Sequence, residues 1–355
     1  MEHGASGAAG AAEVAVTQPG AGWAGSFAEH PGYRRMFAPG RLTIGLFLPV
    51  WQFAGELEAM RGQGEVVQQA DRGDLAGLWV RDIPLHDRNF GDVGQVYDPW
   101  TYLAWLAAHT ERTALAAGSV IATLRHPIDL AKQAASLDRL SGGRLVLGVA
   151  AGDRASEFPA YGIPYDERAA RFAESLPLVR RLLDERFPQV ATPLSRMDGS
   201  TDLLPKPTAG AVPLIVTGSS RQSEEWIASH SDGWLIYPGV THTDEGPTQL
   251  GEKIRRWRSL VPARQFKPVL TNEWLDLVED PDHPPTPMRG GFVLRTGRHG
   301  LIDLLTRWQD NGVNHAALGV QHGRRPAADA VAEIIEHVLP VFPTLPAPAA
   351  ATPIW

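Results

Sequence analysis

The sequence predicts a (β/α)8 barrel. Between about residues 43 and 338, eight short apolar runs of strand length alternate with eight helical segments. The unit from Leu130 to Tyr165, LAKQAASLDRLSGGRLVLGVAAGDRASEFPAYGIPY, reads as a helix, a glycine turn, a buried strand and a polar loop. The first strand runs into Leu48-Pro49-Val50-Trp51, not the glycine-rich phosphate turn that a doubly wound open sheet would carry there. The chain of 355 residues is long enough for one barrel of ~250 residues plus tails.

Residues 1 to 38 are rich in Ala and Gly and are expected to be largely disordered. Trp23, Phe27, Tyr33 and Phe37 would let the last part of this tail pack on the domain. The barrel is expected over 39–342, and 343–355 alternates Pro and Ala as a mobile end.

Thr43 to Leu48 is the first strand, followed by a helix over Glu65 to Arg72 and a strand over Ala76 to Val80. Trp100 to His109 aligns Leu103, Leu106 and Ala107 on one helical face, and Ala114 to Ile121 is the third strand. In the next helix, Ile128 to Leu140, Leu130, Ala134 and Leu137 recur at helical spacing until Ser141-Gly142-Gly143 stops it. Leu145 to Val149 is the fourth strand. Asp166 is placed to cap a helix running to Leu183, with Phe172, Leu176, Val179 and Leu183 as its buried stripe. Pro177 inside it predicts a kink. An irregular excursion, Phe187 to Pro213, precedes the fifth strand, Leu214 to Thr217. A helix over Ser223 to His230 leads to the sixth strand, Gly233 to Tyr237. Gln249 to Leu260 is helical with Leu250, Ile254 and Trp257 on one side, and Val269 to Leu275 is the seventh strand. The proline-rich EDPDHPPTPMRGG separates it from the helix Leu301 to Asp310, the strand His315 to Val320 and the last helix, Ala328 to Val338.

Composition excludes several classes. A net charge of −7 and a pI near 5.9 supply no basic field for nucleic acid or an anionic membrane. The chain has no cysteine, so disulfides, thiolate metal sites and cysteine nucleophiles are excluded. No apolar run approaches the ~20 residues of a membrane span, and the N-terminus lacks the features of a signal peptide, so the cytoplasm is the expected compartment. No HExxH or other close ligand pair appears, and no metal is expected.

In a barrel the chemistry gathers at the C-terminal ends of the strands. There, Gly218-Ser219-Ser220 precedes a helix, and its N–H groups and hydroxyls fit a phosphate, with Arg221 adding charge. An ordinary strand–helix turn with a serine cap is the other reading. His86 on the loop beyond Asp82, His126 after the third strand and His322 on the rim are the candidate histidines, and a structural or solvent-exposed role is the more ordinary reading of each. Trp51 and Trp274 stand where an aromatic side chain lines a pocket, whereas Trp257 and Trp308 fall on buried helical faces.

The segments RLTIGLFLPV, LAGLWVRD, RHPIDLAKQAASLDRLSGGRLVLGVAAG, YGIPYDERAARFAESLPLVRRLL, PKPTAGAVPLIVTGSS, DGWLIYP and GVNHAAL occur in this order from Arg41 to Pro340. Together they resemble the bacterial luciferase-like monooxygenase family. The resemblance implies a flavin- or deazaflavin-dependent oxidoreductase, first of all a monooxygenase that uses reduced FMN and O2 on a small organic substrate. It implies FMN supplied by a separate reductase, with F420-dependent hydride transfer as the alternative; no run of basic residues for a polyglutamate tail is visible. It places Gly218, Ser219 and Ser220 at the cofactor phosphate and Asp82 and Thr123 near the ring or its ribityl chain. It also places Gly152, Asp153 and Tyr161 in a cofactor-contacting loop. Catalytic candidates are Asp82, His86 and His126. True luciferases carry a histidine directly after the acidic residue ending the second strand; here Asp82 is followed by Ile83, so light emission is not expected. That departure keeps a non-catalytic, flavin-binding or partner-stabilising barrel open. A homodimer is the implied assembly. Within the motif, SLDRLSGGR enters the fourth strand from its N-terminal end, so Arg144 and its glycines read as scaffold.

Overall fold

The computed structural model describes residues 27–50, 62–89 and 97–348. Eight parallel strands close into a barrel: β1 (Thr43–Phe47), β2 (Gly77–Val80), β3 (Ala114–Ala117), β4 (Leu145–Ala150), β5 (Leu214–Thr217), β6 (Gly233–Leu235), β7 (Val269–Leu277) and β8 (His315–Gly319). β1 pairs with both β2 and β8, and the pairing of Val269 with Trp234 joins β7 to β6 and completes the ring. Every residue of β1, β2, β3, β5 and β8 is buried, as a strand covered on both faces requires.

The sequence draws the third strand as one piece. In the structure it breaks at the cis peptide Gly118–Ser119, and Val120–Ile121 resumes pairing with the end of β4. A side chain at Gly118 would approach Trp79 and Phe47 at 3.1 and 3.2 Å, tighter than ordinary van der Waals contact, so this break packs closely on the interior aromatics. Asp166 does not cap the following helix. It lies in the 3-10 turn Tyr165–Glu167, and the helix Arg168–Asp184 starts without a side-chain cap. That helix runs unbroken through Pro177. Its stripe of Phe172, Leu176, Val179 and Leu183 is fully packed, which offsets the lost ladder bond. The excursion before β5 contains a hairpin, Gln189–Thr192 with Ser195–Asp198. In the second excursion Thr286–Met288 pairs with Val293–Thr296, which extends the sheet beside β7. Trp257 and Trp308 are core residues.

The disorder expected over residues 1–38 does not hold for its described part, residues 27–38. Pro31–Met36 is a helix, and Phe27, Tyr33, Met36 and Phe37 are buried. They form one apolar cluster with Ala76, Ala114 and Val146 inside the barrel, and so plug its N-terminal end. The aromatic spacing of this segment signals burial more strongly than its Ala and Gly content signals disorder. Trp23 lies outside the described residues.

Arg144 is the scaffold residue its position suggested. It is 2 % exposed, and every one of its side-chain nitrogens is used. Nε donates to Ser141 O, Nη1 to Thr110 Oγ1 and Thr113 O, and Nη2 to Ala107 O and Thr110 O, all at 2.8–3.0 Å. One guanidinium thus ties the helix Pro99–His109 to the turn that enters β4. A side chain at Gly32 would lie 2.5 Å from Arg144 O, so the plug helix docks directly on this turn.

Candidate active site

A cavity of about 580 Å3 opens at the C-terminal ends of the strands. Its inner wall is formed by Phe47, Gly118, Ser119, Leu235, Asn272 and Trp274, and its rim includes Arg81, Asp82, Gly152, Asp153, Arg154, Tyr165, Arg168, Thr217 and Gly218 to Arg221. Apolar walls with a few polar groups at the mouth suit a ring-shaped ligand with a charged end.

The expected phosphate turn lines the cavity, but its construction differs from the expectation. Gly218, Ser220 and Arg221 all have positive φ (57°, 43° and 63°), so three of four successive residues are left-handed. Ser220 Oγ donates to Thr217 O at 2.8 Å and accepts from Ala151 N–H at 3.3 Å; Ser219 Oγ accepts from Arg221 N–H at 3.3 Å. The hydroxyls therefore build the turn. Among the described residues no acceptor is found for the Ser219 or Ser220 backbone N–H. The helix that follows begins only at Glu224, capped by Ser223, and its first turn carries Glu224 and Glu225, so its N-terminus is not the anion site.

Two buried donors line the same wall without a hydrogen-bond partner: Arg168 Nε and Thr217 Oγ1. Arg168 is 8 % exposed, packs its guanidinium on the Tyr165 ring at 3.5 Å, and donates through Nη1 to Tyr165 O at 2.7 Å. Its head is thereby fixed at the cavity wall.

Asp82 reaches the cavity but is engaged. One oxygen accepts from Ile121 N–H at 2.8 Å and from Arg125 Nη1, and the other accepts from Arg125 Nη2 at 3.0 Å. Burial raises its pKa, opposed by Arg125. Asp82 thus organises the chain around the break after β3. Gly152 (φ 82°) and Asp153 line the rim as expected.

Four expected residues are not on the wall. Thr123 is buried beneath it and donates to Ala151 O at 2.8 Å, so its hydroxyl is committed to the scaffold. Tyr161 is 45 % exposed outside the cavity; Tyr165, four residues on, lines it. His126 is the N-cap of Pro127–Leu140: Nδ1 accepts from Ile128 N–H at 3.2 Å and Nε2 lies 3.0 Å from Leu194 O. His86 is exposed on the loop after β2 and does not line the cavity. Trp274 is at the wall, whereas Trp51 lies outside the described residues.

Sequence reasoning missed Arg154, Arg168, Tyr165 and Asn272. Asn272 sits in phase with Trp274 on β7, so period-2 alternation was a usable signal. Glu157 was missed too. It is 1 % exposed near Arg154, and burial pushes its pKa up to about 7, against the Arg154 charge.

Among the described residues no cluster of three or more His, Asp or Glu that could hold a metal is present, and no helix is long and apolar enough to cross a membrane.

A closed parallel barrel with a cavity above its strands, lined in part by the turn after β5, defines the class of barrels whose sites lie at the C-terminal ends of the strands. The family model for luciferase-like monooxygenases matches residues 42–264, and the chain belongs to that family. A 4-hydroxyprotoasukamycin monooxygenase from Streptomyces nodosus subsp. asukaensis is 32% identical over 50% of this chain and 48% of its own. The crystal structure of the monooxygenase RslO1 from Streptomyces bottropensis superposes with a TM-score of 0.68 at 23% identity, covering 84% of this chain and 99% of that one. An F420-dependent secondary alcohol dehydrogenase in complex with an F420–acetone adduct superposes with a TM-score of 0.67 at 16% identity, covering 85% and 99%. These structures share the fold. The chain is an oxidoreductase of a family with flavin- and F420-dependent members.

Proposed function

We propose that this protein is an FMN-dependent monooxygenase acting on a small organic substrate. The observation that carries the reading is the pair of buried donors without partners, Arg168 Nε and Thr217 Oγ1, on the wall that also presents the Ser219 and Ser220 N–H groups. Donors left without partners in a buried wall cost about 1–3 kcal/mol each. A bound phosphate recovers that cost, so the residues fit the group. FMN, when bound, supplies the electron transfer and oxygen chemistry. Arg168, Thr217 and the left-handed turn hold its phosphate. Phe47, Leu235 and Trp274 exclude water around the ring, and Asn272 presents an amide at that wall. A separate reductase delivering reduced flavin, and a homodimeric assembly, belong to the same reading.

A second reading is F420-dependent hydride transfer. It is favoured by the four arginines at the cavity, Arg81, Arg154, Arg168 and Arg221. They are scattered in sequence and meet only in the fold, which replaces the basic run that the sequence lacks. Titration of the purified protein with FMN and with F420, each oxidised and reduced, followed by fluorescence, separates the two. FMN binding without F420 binding is the expected result. Binding of neither would sink both.

A further inference from the structure

β7 turns a carboxamide into the barrel. Leu270 and Trp274, two residues before and two after Asn272, belong to the apolar cluster of the barrel interior, and so does Ala317, the partner of Asn272 on β8. The period-2 alternation of a strand puts Asn272 on that same face, where it lines the cavity. It is 7 % exposed, and among the described residues its carboxamide has no hydrogen-bond partner. Buried side-chain amides are nearly always paired, so this one is left for a guest of the cavity. From Asn272 an aromatic track leads outward. The Phe47 and Trp274 ring centroids are 5.2 Å apart, and those of Trp274 and Phe292 are 6.0 Å apart with planes 31° from parallel. All three rings line the cavity. Phe47 is 3 % exposed, Trp274 8 % and Phe292 50 %, so the track runs from the interior to solvent.

The charge beside the track is engaged within the protein: the Arg81 guanidinium lies over the Trp274 ring at 5.0 Å and donates to Gln321 Oε1 at 3.5 Å. The carboxylates of the cavity, Asp82 and Asp153, follow β2 and β4, not β7. A charged group brought to Asn272 would give up its hydration for one neutral amide. A hydroxyl or carbonyl gives up far less and gains a hydrogen bond. Trp and Phe faces match a flat ring. We propose that Asn272 is a specificity residue, and that it selects a neutral, planar aromatic substrate bearing a hydroxyl group, whose ring lies along Trp274 and Phe292. The hydroxyl fits because it offers both a donor and an acceptor, as the carboxamide does.

This inference rests on the flavin reading for what becomes of the substrate, so its test reads binding both with and without FMN. Purified protein is titrated by fluorescence with 2-naphthol, which is uncharged near neutral pH, and with naphthalene and 2-naphthoate. Wild type is expected to bind 2-naphthol about tenfold tighter than either comparison ligand. Asn272→Leu, of similar volume, should bring 2-naphthol down to the affinity of naphthalene without weakening naphthalene, and should cost more for 2-naphthol than for FMN. Phe292→Ala, at a half-exposed position, should weaken 2-naphthol and naphthalene in parallel. Naphthol binding no tighter than that of naphthalene or naphthoate, an undiminished naphthol preference in Asn272→Leu, or a larger loss for FMN than for naphthol would overturn the proposal; the last would give the amide to the cofactor. The wild-type ligand series decides the matter even where Asn272→Leu does not fold. A naphthol preference in protein that binds no FMN would sink the flavin reading and keep this one.

Discussion

Trp79 Nε1–H donates to His315 Nε2 at 2.9 Å in the barrel interior, and His315 Nδ1 lies 2.7 Å from the Thr43 hydroxyl. The Thr43 hydroxyl also donates to Met36 O at 2.7 Å. This chain fixes the neutral tautomer: Nδ1–H donates to Thr43 and Nε2 accepts from Trp79. It links β2, β8, β1 and the plug helix Pro31–Met36 through one buried polar line. Nothing in it faces the cavity, so His315 is a histidine of the fold.

Full burial lowers the His315 pKa from 6.5 to about 3. The unfolded chain therefore binds a proton at His315 below about pH 6.5, and the folded one does so only near pH 3. Stability from this group is present at neutral pH and is lost as pH falls through that window. Between pH 7.5 and pH 5 the loss should be about 2 kcal/mol. Urea unfolding at the two pH values should show it. His315→Gln should be less stable at pH 7.5 yet lack this part of the pH slope; an unchanged slope would refute the assignment.

Replacing Arg144 with Lys should destabilise the fold by about 3 kcal/mol, because a single ammonium cannot serve four carbonyls and a hydroxyl spread around a planar fork. Arg144 lies at the N-terminal end of β4, opposite the cavity. FMN affinity measured well below the unfolding temperature should therefore stay within about twofold of wild type. A large affinity loss without a stability loss would place Arg144 in the site.

These two residues show what could be read without coordinates. The barrel was legible because strand and helix periodicities are local, and apolar runs such as Leu214–Thr217 have no other buried solution. The scaffold role of Arg144 followed from which end of a strand it enters. The site was less legible. Gly218 to Ser220 and Trp274 were recoverable as strand-end residues, but Arg168 depends on a 3-10 turn that shifts the helix start past Asp166. His126 is a candidate by its place after the third strand; its ring instead accepts a backbone N–H as a helix cap. Cap and catalyst share the same residue type, and only the partners distinguish them.

Glu273 offers a test on the alkaline side. It is 4 % exposed, and burial pushes its pKa up to about 8, against hydrogen bonds from the Thr241 side chain and the Trp274 backbone. The folded state then holds a proton that the unfolded state releases above about pH 4.5. This stability is complete below that value and is lost as pH rises through 8. Glu273→Gln should remove this alkaline slope, making the variant relatively more stable than wild type at pH 8.5 by roughly 2–4 kcal/mol. Thermal or urea unfolding at pH 5.5 and 8.5 checks it, and parallel slopes in the two proteins would count against a neutral Glu273.

The final prediction concerns which group grips the cofactor. A serine-rich turn invites alanine replacements of Ser219 and Ser220, yet their hydroxyls serve Arg221 N–H, Ala151 N–H and Thr217 O inside the turn. Ser219, exposed and accepting only a 3.3 Å bond, should tolerate Ala with less than about a threefold change in FMN affinity. Arg168 is different: its Nε has no partner, its ring neighbour Tyr165 holds the plane, and it lines the wall beside the turn. Losing a charge-assisted, partly desolvated contact to phosphate costs about 1.5–3 kcal/mol, so Arg168→Gln should weaken FMN about 10- to 100-fold. Riboflavin, which lacks the phosphate, should bind the variant and wild type alike. The contrast between the two ligands isolates the phosphate contact from any general loosening of the wall. Equal losses for riboflavin and FMN would assign Arg168 to packing and leave the anion to the backbone N–H groups of the turn alone.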